Sequence, residues 1–439
     1  DSEAVFYQGC YANQVEKIRD ELPKVKVWIQ LEDSTPLLEG SHAYSDVVQN
    51  TAPMPRIERN EGNIYMLYTG GTTGMPKGVM YTHGGFVNSM LKTLKGMGVD
   101  VPDELADIKD TILNLHENGE LAKSFVACPL MHGTGMWLGG FLSHLLGGCV
   151  VTTPNLGLDT KLLWEEVERV GITNIIIVGD SFAKPMVKEL DRAVSENKPY
   201  NLETLKLIYS SGVMFSADVK ASLLEHHDMV LMDAMGSSEG GMGSSVTTRE
   251  DGAATAKFRL NPGVVVVSDD GEEVLPGSGV RGLIGTSGLV PEGYYKDKEK
   301  SDATFKEFNG TRYSFPGDYA LVEADGTITL LGRGSNCINS AGEKIYPEEV
   351  EEALKLNSNV YDSLVVGLPD ERFGNKVVGV VSLVENCEID EAELISSTRE
   401  HLSGYKLPKS IIFVSEVMRA PNGKADYKWA KKIAEAELI

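Results

Sequence analysis

The chain has 439 residues, 42% of them apolar, and a formal net charge of −23 from 64 acidic and 41 basic side chains. That length exceeds one ordinary core, so two or more domains are expected. The charge repels nucleic acid and anionic membrane surfaces, so any phosphate site must be basic locally rather than by long-range attraction.

Taken in chain order, residues 4–7, 13–22 and 25–31 read as strand, helix and strand, and 64–67 as a short apolar strand. Residues 124–158 contain no Asp, Glu, Lys or Arg. With His132, His144, seven glycines and two prolines, this is a poor membrane-spanning helix. A buried helix followed by a strand at 149–153 fits better, and its glycines (Gly133, Gly135, Gly139, Gly140) suggest space for a bulky apolar ligand. The runs 172–178 and 205–209, with amphipathic helices at 164–170 and 217–225, give an α/β texture of buried parallel strands. After about residue 261 the pattern changes. Short strands at 264–267, 282–286 and 327–331 alternate with Asp-Gly and Pro-Gly turns, as in an antiparallel or β-barrel-like subdomain. A third texture starts near Arg333: a helix opened by Tyr346-Pro347-Glu348, strands at 360–366 and 377–384, and a helix at 391–402. The expected fold class is therefore multidomain α/β. A large N-terminal domain at 1–333 combines α/β subdomains with the barrel-like one, 334–336 form a hinge, and a small α+β domain occupies 337–439.

The five cysteines (Cys10, Cys128, Cys149, Cys337, Cys387) are scattered, odd in number and without C-x-x-C spacing. They read as reduced thiols of a cytoplasmic protein. The opening does not read as a signal peptide. The chain begins at Asp1 without a methionine.

Several short stretches carry chemistry. Tyr68-Thr69-Gly70-Gly71-Thr72-Thr73-Gly74-Met75-Pro76-Lys77-Gly78 comes directly after the strand at 64–67. Its glycines can turn backbone N–H groups toward an anion, its hydroxyls add donors, and Lys77 adds a mobile charge. That combination suits a polyphosphate, where the plainer reading is a surface turn. A Walker A loop needs Gly before the Lys and Ser or Thr after it; here Pro76 and Gly78 occupy those places. In Met235-Gly236-Ser237-Ser238-Glu239 a carboxylate on a Gly/Ser turn is well placed to share Mg²⁺ with phosphate oxygens, although an exposed turn acid is the ordinary alternative. Taken singly, Gly317-Asp318 reads as a turn, Lys424 as a solvated lysine, and His132 as a core residue.

The segment from Tyr68 to Gly78 resembles the phosphate loop of the adenylate-forming superfamily: acyl- and aryl-CoA synthetases, peptide-synthetase adenylation domains and firefly-type luciferases. The usual pattern is Tyr-Thr-Ser-Gly-Thr-Thr-Gly-x-Pro-Lys-Gly, and Gly70 replaces the Ser. The order of further matches, from Tyr65 to Lys424, is that of the family. The resemblance implies that Thr69, Gly70, Gly71, Thr72, Thr73, Gly74 and Lys77 hold ATP phosphates. It implies that Ser211, Gly212, Val213, Asp233, Ala234, Met235, Gly236 and Ser238 border AMP. Met235 stands where the family has an adenine-stacking aromatic, which points to a sulfur–aromatic contact. Glu239, with Thr72, would hold Mg²⁺. Asp318 would accept from the ribose hydroxyls, with Arg333 beside it.

The stretch from Leu331 to Glu351 resembles the family's hinge, with Ser335 at a pivot that is usually Asp or Lys. Gly342 and Glu343 would lie on the loop for the thioester step. Lys424 would touch carboxylate and α-phosphate in adenylation. His132, Gly133 and Trp137 would line the acyl route, and the small C-terminal domain would be mobile. Family members carry a segment upstream of Asp1, so a truncated first subdomain is expected. The implied activity is ATP-dependent acyl-CoA ligation with ATP, Mg²⁺ and coenzyme A. Hydrophobic acids are favoured, medium- to long-chain fatty acids first and steroid or alicyclic acids second, as in bacterial fatty-acid and sterol-side-chain CoA ligases. A carrier-protein acceptor stays open, as does a homodimer.

Overall fold

A computed structural model describes residues 1–69, 76–155, 157–250, 257–340, 343–370, 372–420 and 422–438. By internal contacts the chain divides into two compact units, Asp1–Arg59 and Asn60–Ile439. In the first, parallel strands Ala4–Gln8, Val27–Leu31 and His42–Ala43 carry the helices Ala12–Ile18 and Tyr44–Asn50. Tyr7, Val15 and Trp28 form its core. The opening strand, helix and strand match the sequence pattern. His42–Ala43 is too short to show any periodicity.

The second unit is organised by one long sheet. Strands Val230–Ser237, Leu207–Ser211, Asn174–Ile177, Lys123–Val126 and Cys149–Val151 pair in parallel, in that spatial order. Both faces are covered, which explains why Ile175, Ile177, Ile208 and Leu231 are fully buried and why the sequence shows apolar runs instead of alternation. Beyond Val230–Ser237 the same sheet continues antiparallel through Gly240–Thr247, Lys257–Leu260, Thr327–Arg333, Asp318–Val322 and Arg281–Thr286. Its own core contains Met235, Met242, Phe258, Ile284 and Ile328.

The uncharged stretch begins as the strand Lys123–Val126, which its apolar pattern does not separate from the helix after it. The helical part runs from Thr134 to Leu145, wide-turned over Thr134–Phe141 and regular over Leu142–Leu145. Two of its glycines, Gly135 and Gly139, do not leave room for a ligand in the way expected. A Cβ on Gly139 would collide with Val126, and one on Gly135 with the Pro129 carbonyl. The missing side chains let the helix lie directly on the strand.

Smaller sheets complete the unit. Ile64–Thr69 pairs antiparallel with Lys77–Thr82, and Gly293–Tyr294 adds to the outer edge of the latter. Toward the C-terminus, Val360–Asp370, Gly374–Leu383 and Ser410–Val414 form a sheet with an apolar core on each face. Val365 and Val381 serve one core, Leu364 and Val366 the other, as strand alternation requires. Helices Pro347–Lys355, Glu391–Thr398 and Tyr427–Leu438 accompany it. The middle helix stops four residues before the expected 402. Among the described residues no helix is long and apolar enough to cross a membrane.

Candidate active site

In an open α/β sheet the crevice lies beyond the carboxyl ends of the parallel strands. Here Leu207–Ser211 ends at Ser211, and Val230–Ser237 turns through Ser238 and Glu239 into its antiparallel partner. Gly212 then takes a φ of 96°, which suits glycine. A Cβ placed there would meet the Thr134 hydroxyl at 3.7 Å and the Lys424 Cε at 4.0 Å, so a C-terminal lysine stands beside the strand ends.

The charged groups around Lys424 define the site. Burial depresses its ammonium below the ordinary lysine value, and Arg333 adds to this, while Glu239 and Asp318 oppose it. Asp318 and Arg333 face each other across paired strands, with Arg333 Nε donating to Asp318 Oδ1 at 3.3 Å. Asp318 Oδ2 is buried without a hydrogen-bond partner, and burial pushes this carboxyl up. An orphaned acceptor there suits a hydroxyl donor such as a ribose. Lys77 is also depressed, first by burial and then by Lys300; Glu239 and Asp297 pull the other way. His132 is half-buried, and burial followed by the nearby Lys424 holds its imidazole toward the neutral form. Lys77, His132, Glu239, the hairpin pair Asp318 and Arg333, and Lys424 come from separate parts of the chain and form one electrostatic neighbourhood.

Glu239 is 9% exposed. Its Oε1 accepts from the Tyr294 hydroxyl at 2.7 Å, and its N–H donates to Ser237 Oγ at 3.1 Å. Tyr81 donates to the Ser238 carbonyl at 2.7 Å. One carboxylate with a second oxygen to spare fits Mg²⁺, which takes one or two carboxylates and completes its octahedron with phosphate oxygens and water.

Other expected residues fall differently. Asp233 points into the core, where Lys220 Nζ lies 3.6 Å away, and burial pushes its carboxyl up to about 7. It can border a nucleotide only through its backbone. Ala234 and Gly236 alternate with it on the strand, and Ala234 is half-buried. Met235 is 7% exposed within the antiparallel core, which leaves little of it for a base. Val213 packs at the edge of the main core. Thr69 ends its strand opposite Lys77. Trp137 belongs to an aromatic cluster with Tyr65, Tyr81, Phe86 and Phe141; its Nε1 donates to Tyr65 Oη at 3.0 Å, and Gly133 lies against its ring. Ser335 lies in the tight turn Gly334–Asn336, and Glu343 is exposed on a separate two-stranded ribbon. Gly70, Gly71, Thr72, Thr73, Gly74 and Gly342 lie outside the described residues.

The loop carrying Lys424 has supports that no sequence pattern discloses. Arg419 donates twice to Asp362, at 2.7 Å each, and its Nη1 donates to the Gly423 carbonyl at 3.3 Å. Gly423 has a φ of 76° and abuts Ser181, at the start of the helix Asp180–Ser195. Lys184 on that helix donates to the Tyr361 carbonyl. Tyr294, whose hydroxyl reaches Glu239, is equally silent in the sequence. A Gly-Tyr pair and an isolated Arg carry no signal of such roles. Only the paired strands and the docked loop reveal them.

The family model described as AMP-binding enzyme matches residues 1–295, and that described as AMP-binding enzyme C-terminal domain matches 349–424. The chain belongs to the AMP-binding enzymes. This AMP-binding enzyme is 39% identical, over 99% of its length and 79% of the relative's, to a medium/long-chain-fatty-acid–CoA/3-oxocholest-4-en-26-oate–CoA ligase of Mycolicibacterium smegmatis. It is 40% identical, over 98% and 78%, to a 3-oxocholest-4-en-26-oate–CoA ligase of Rhodococcus rhodochrous. In fold it is similar to the anthranilate CoA ligase AuaEII solved with anthranoyl-AMP, with a TM-score of 0.79 at 20% identity over 100% of this chain and 79% of that one. It is likewise similar to ATP-bound MatB from Rhodopseudomonas palustris, with a TM-score of 0.78 at 20% identity over 100% and 80%.

Proposed function

We propose that this AMP-binding enzyme is an ATP-dependent acyl-CoA ligase for hydrophobic carboxylic acids, medium- and long-chain fatty acids first. A carboxylate oxygen attacks the α-phosphate of ATP, giving acyl-adenylate and pyrophosphate. The thiol of coenzyme A then attacks the mixed anhydride, and AMP leaves. The observation that carries this reading is the convergence of Lys77, Glu239, Asp318, Arg333 and Lys424 at the strand ends.

Such phosphoryl chemistry runs on positioning and charge stabilisation. Lys424, partly desolvated, sits over the strand end at Gly212 and faces the reacting carboxylate and α-phosphate. Lys77 neutralises the departing pyrophosphate. Asp318 and Arg333 orient the ribose. Glu239 would hold Mg²⁺, which would supply charge to offset the phosphates. His132, Gly133 and Trp137 border the acyl route, with the aromatic cluster as an apolar wall. For the second step the C-terminal domain, 337–439, pivots at 334–336, withdraws Lys424 and brings the Gly342–Glu343 segment to the site.

The acids named for the two bacterial relatives support both a fatty acid and a steroid side-chain acid as substrates. The five free cysteines support a reducing compartment, the cytoplasm. The decisive experiment is a pyrophosphate-release screen over fatty acids of graded length and steroid side-chain acids, followed by identification of the thioester made with free coenzyme A. Turnover without a CoA thioester would redirect the second step to a carrier protein. No acid-dependent pyrophosphate release would end the reading.

A further inference from the structure

Tyr294 lies against both charged groups that the proposed function sets beside the polyphosphate, Lys77 for the phosphates and Glu239 for Mg²⁺. Its hydroxyl donates to Glu239 Oε1 at 2.7 Å, and Lys77 Nζ lies 5.2 Å from the centroid of its ring. The residue is 5% exposed and held on all sides. The strand Gly293–Tyr294 pairs with Lys77–Thr82, placing Tyr294 opposite Val79. Its N–H donates to Ser301 Oγ at 2.8 Å, Ser301 Oγ in turn donates to the Asp297 carbonyl at 2.6 Å, and Phe305 packs on its ring at 5.2 Å. A phenol so fixed cannot follow Glu239; Glu239 must conform to it.

We propose that Tyr294 is a positioning residue that sets the Glu239 carboxylate for metal binding while keeping it apart from Lys77. The inference rests on the reading of Glu239 as the Mg²⁺ carboxylate. An ammonium and a carboxylate on neighbouring elements would ordinarily pair, and Lys77 would then occupy the place of the ion. The Tyr294 ring supplies Lys77 with an alternative partner through a cation–π contact. Its hydroxyl holds Oε1 by one hydrogen bond, so Oε2 would be the oxygen presented to the metal. Hydrogen bonds of this outer kind fix the orientation of metal ligands, and their loss typically costs about 10–100-fold in metal affinity. Tyr81 makes a second tie from the same direction. It stands on the strand that carries Lys77, and it holds the backbone of the Glu239 turn through the Ser238 carbonyl at 2.7 Å. The hairpin that brings the lysine therefore also fixes the turn that brings the carboxylate.

The competing account is a core tyrosine whose buried hydroxyl simply needed an acceptor. The two accounts differ in what metal does. The test is calorimetric binding of α,β-methylene-ATP, with and without MgCl₂, to the full chain and to Tyr294→Phe, Tyr81→Phe, Glu239→Gln and the Tyr294→Phe/Glu239→Gln double variant. Thermal unfolding of each is measured in parallel. The expected result for Tyr294→Phe is a loss of about 10-fold or more in the Mg²⁺-dependent part of binding, with metal-free binding and unfolding temperature close to the parent. In the Glu239→Gln background the Phe substitution adds nothing, because the carboxylate it orients is gone. Tyr81→Phe gives a smaller loss of the same kind and serves as the test if Tyr294→Phe does not fold. An unchanged Mg²⁺ dependence in Tyr294→Phe overturns the proposal, as does a further loss of equal size in the Gln background. An unchanged Mg²⁺ dependence in Glu239→Gln overturns the assignment of Glu239 itself, and the proposal with it.

Discussion

Lys424 is a lysine under electrostatic pressure. Burial and Arg333 both disfavour its charge, and the role proposed for it in adenylation needs that charge. Replacing it with Ala should slow acid-dependent pyrophosphate release by about 100-fold or more, the scale on which single transition-state donors act. Conversion of supplied acyl-adenylate and coenzyme A to thioester should stay within a few-fold of the parent; equal loss of both steps would remove Lys424 from its role. A lowered pKa also fixes a sign. Adenylation should fade on the alkaline side at a lower pH than an ordinary lysine would give, and Lys424→Arg should move that limb upward.

Glu351 offers a separate residue-scale test. It is buried on the helix Pro347–Lys355, its Oε1 accepts from Val365 N–H at 2.9 Å, and burial, then Glu348, pushes it up to about 8. Its folded value lies above its unfolded one. Its favourable contribution is therefore fully present below the ordinary glutamate range and is lost as pH rises through about 8. The parent should show an unfolding temperature that falls across that window, and Glu351→Gln should flatten the fall by several degrees. A variant that keeps the full slope would refute the assignment.

At the scale of elements, the contact of the 134–145 helix on Lys123–Val126 decides how the uncharged stretch is used. Gly139 meets Val126, a stiff β-branched side chain that cannot turn away. Gly139→Val should therefore destabilise by about 1–3 kcal/mol, as overpacking of cores does. Val126→Ala in the same chain should return a large part of it. Denaturant midpoints of the two single variants and the double variant measure the coupling, and simple additivity would show that the two do not touch. The π-type turns over Thr134–Phe141 belong to the same economy of space. They accompany glycines that let backbone approach backbone, while Trp137 and Phe141 pack with Tyr65 and Phe86 in one aromatic cluster.

At the scale of the molecule, the C-terminal elements are docked with Lys424 toward the strand ends. Gly423 rests on Ser181, Lys184 holds the Tyr361 carbonyl, and Arg419–Asp362 clamps the loop. These contacts define one working orientation. The proposed second step needs another, reached through 334–336. Ser335→Pro fixes φ near −65° and removes a backbone donor, so it should trap a single orientation. One half-reaction should survive near the parental rate and the other fall by an order of magnitude or more. A variant equally active in both would exclude a pivot at that position.

Local chemistry determined a good part of this protein before any coordinates. The apolar runs 172–178 and 205–209 announced parallel strands because both of their faces are covered. The turn signals after 261 announced the antiparallel part. The glycine-threonine segment with Lys77 and the Glu239 turn carry residue types that suit a phosphate and a cation, whereas Asp318, Arg333 and Lys424 are ordinary taken singly and stand out only through the resemblance to the adenylate-forming family. What the tertiary structure alone decided was contact between side chains on different elements, with no shared motif to announce it. It set Tyr294 between Lys77 and Glu239, turned Asp233 inward to Lys220, packed Gly139 on Val126 and clamped the lysine loop with Arg419. The physical reason is that a motif is local in the chain, whereas burial, pairing and the shared field of several charges exist only once the sheet has brought its strand ends together.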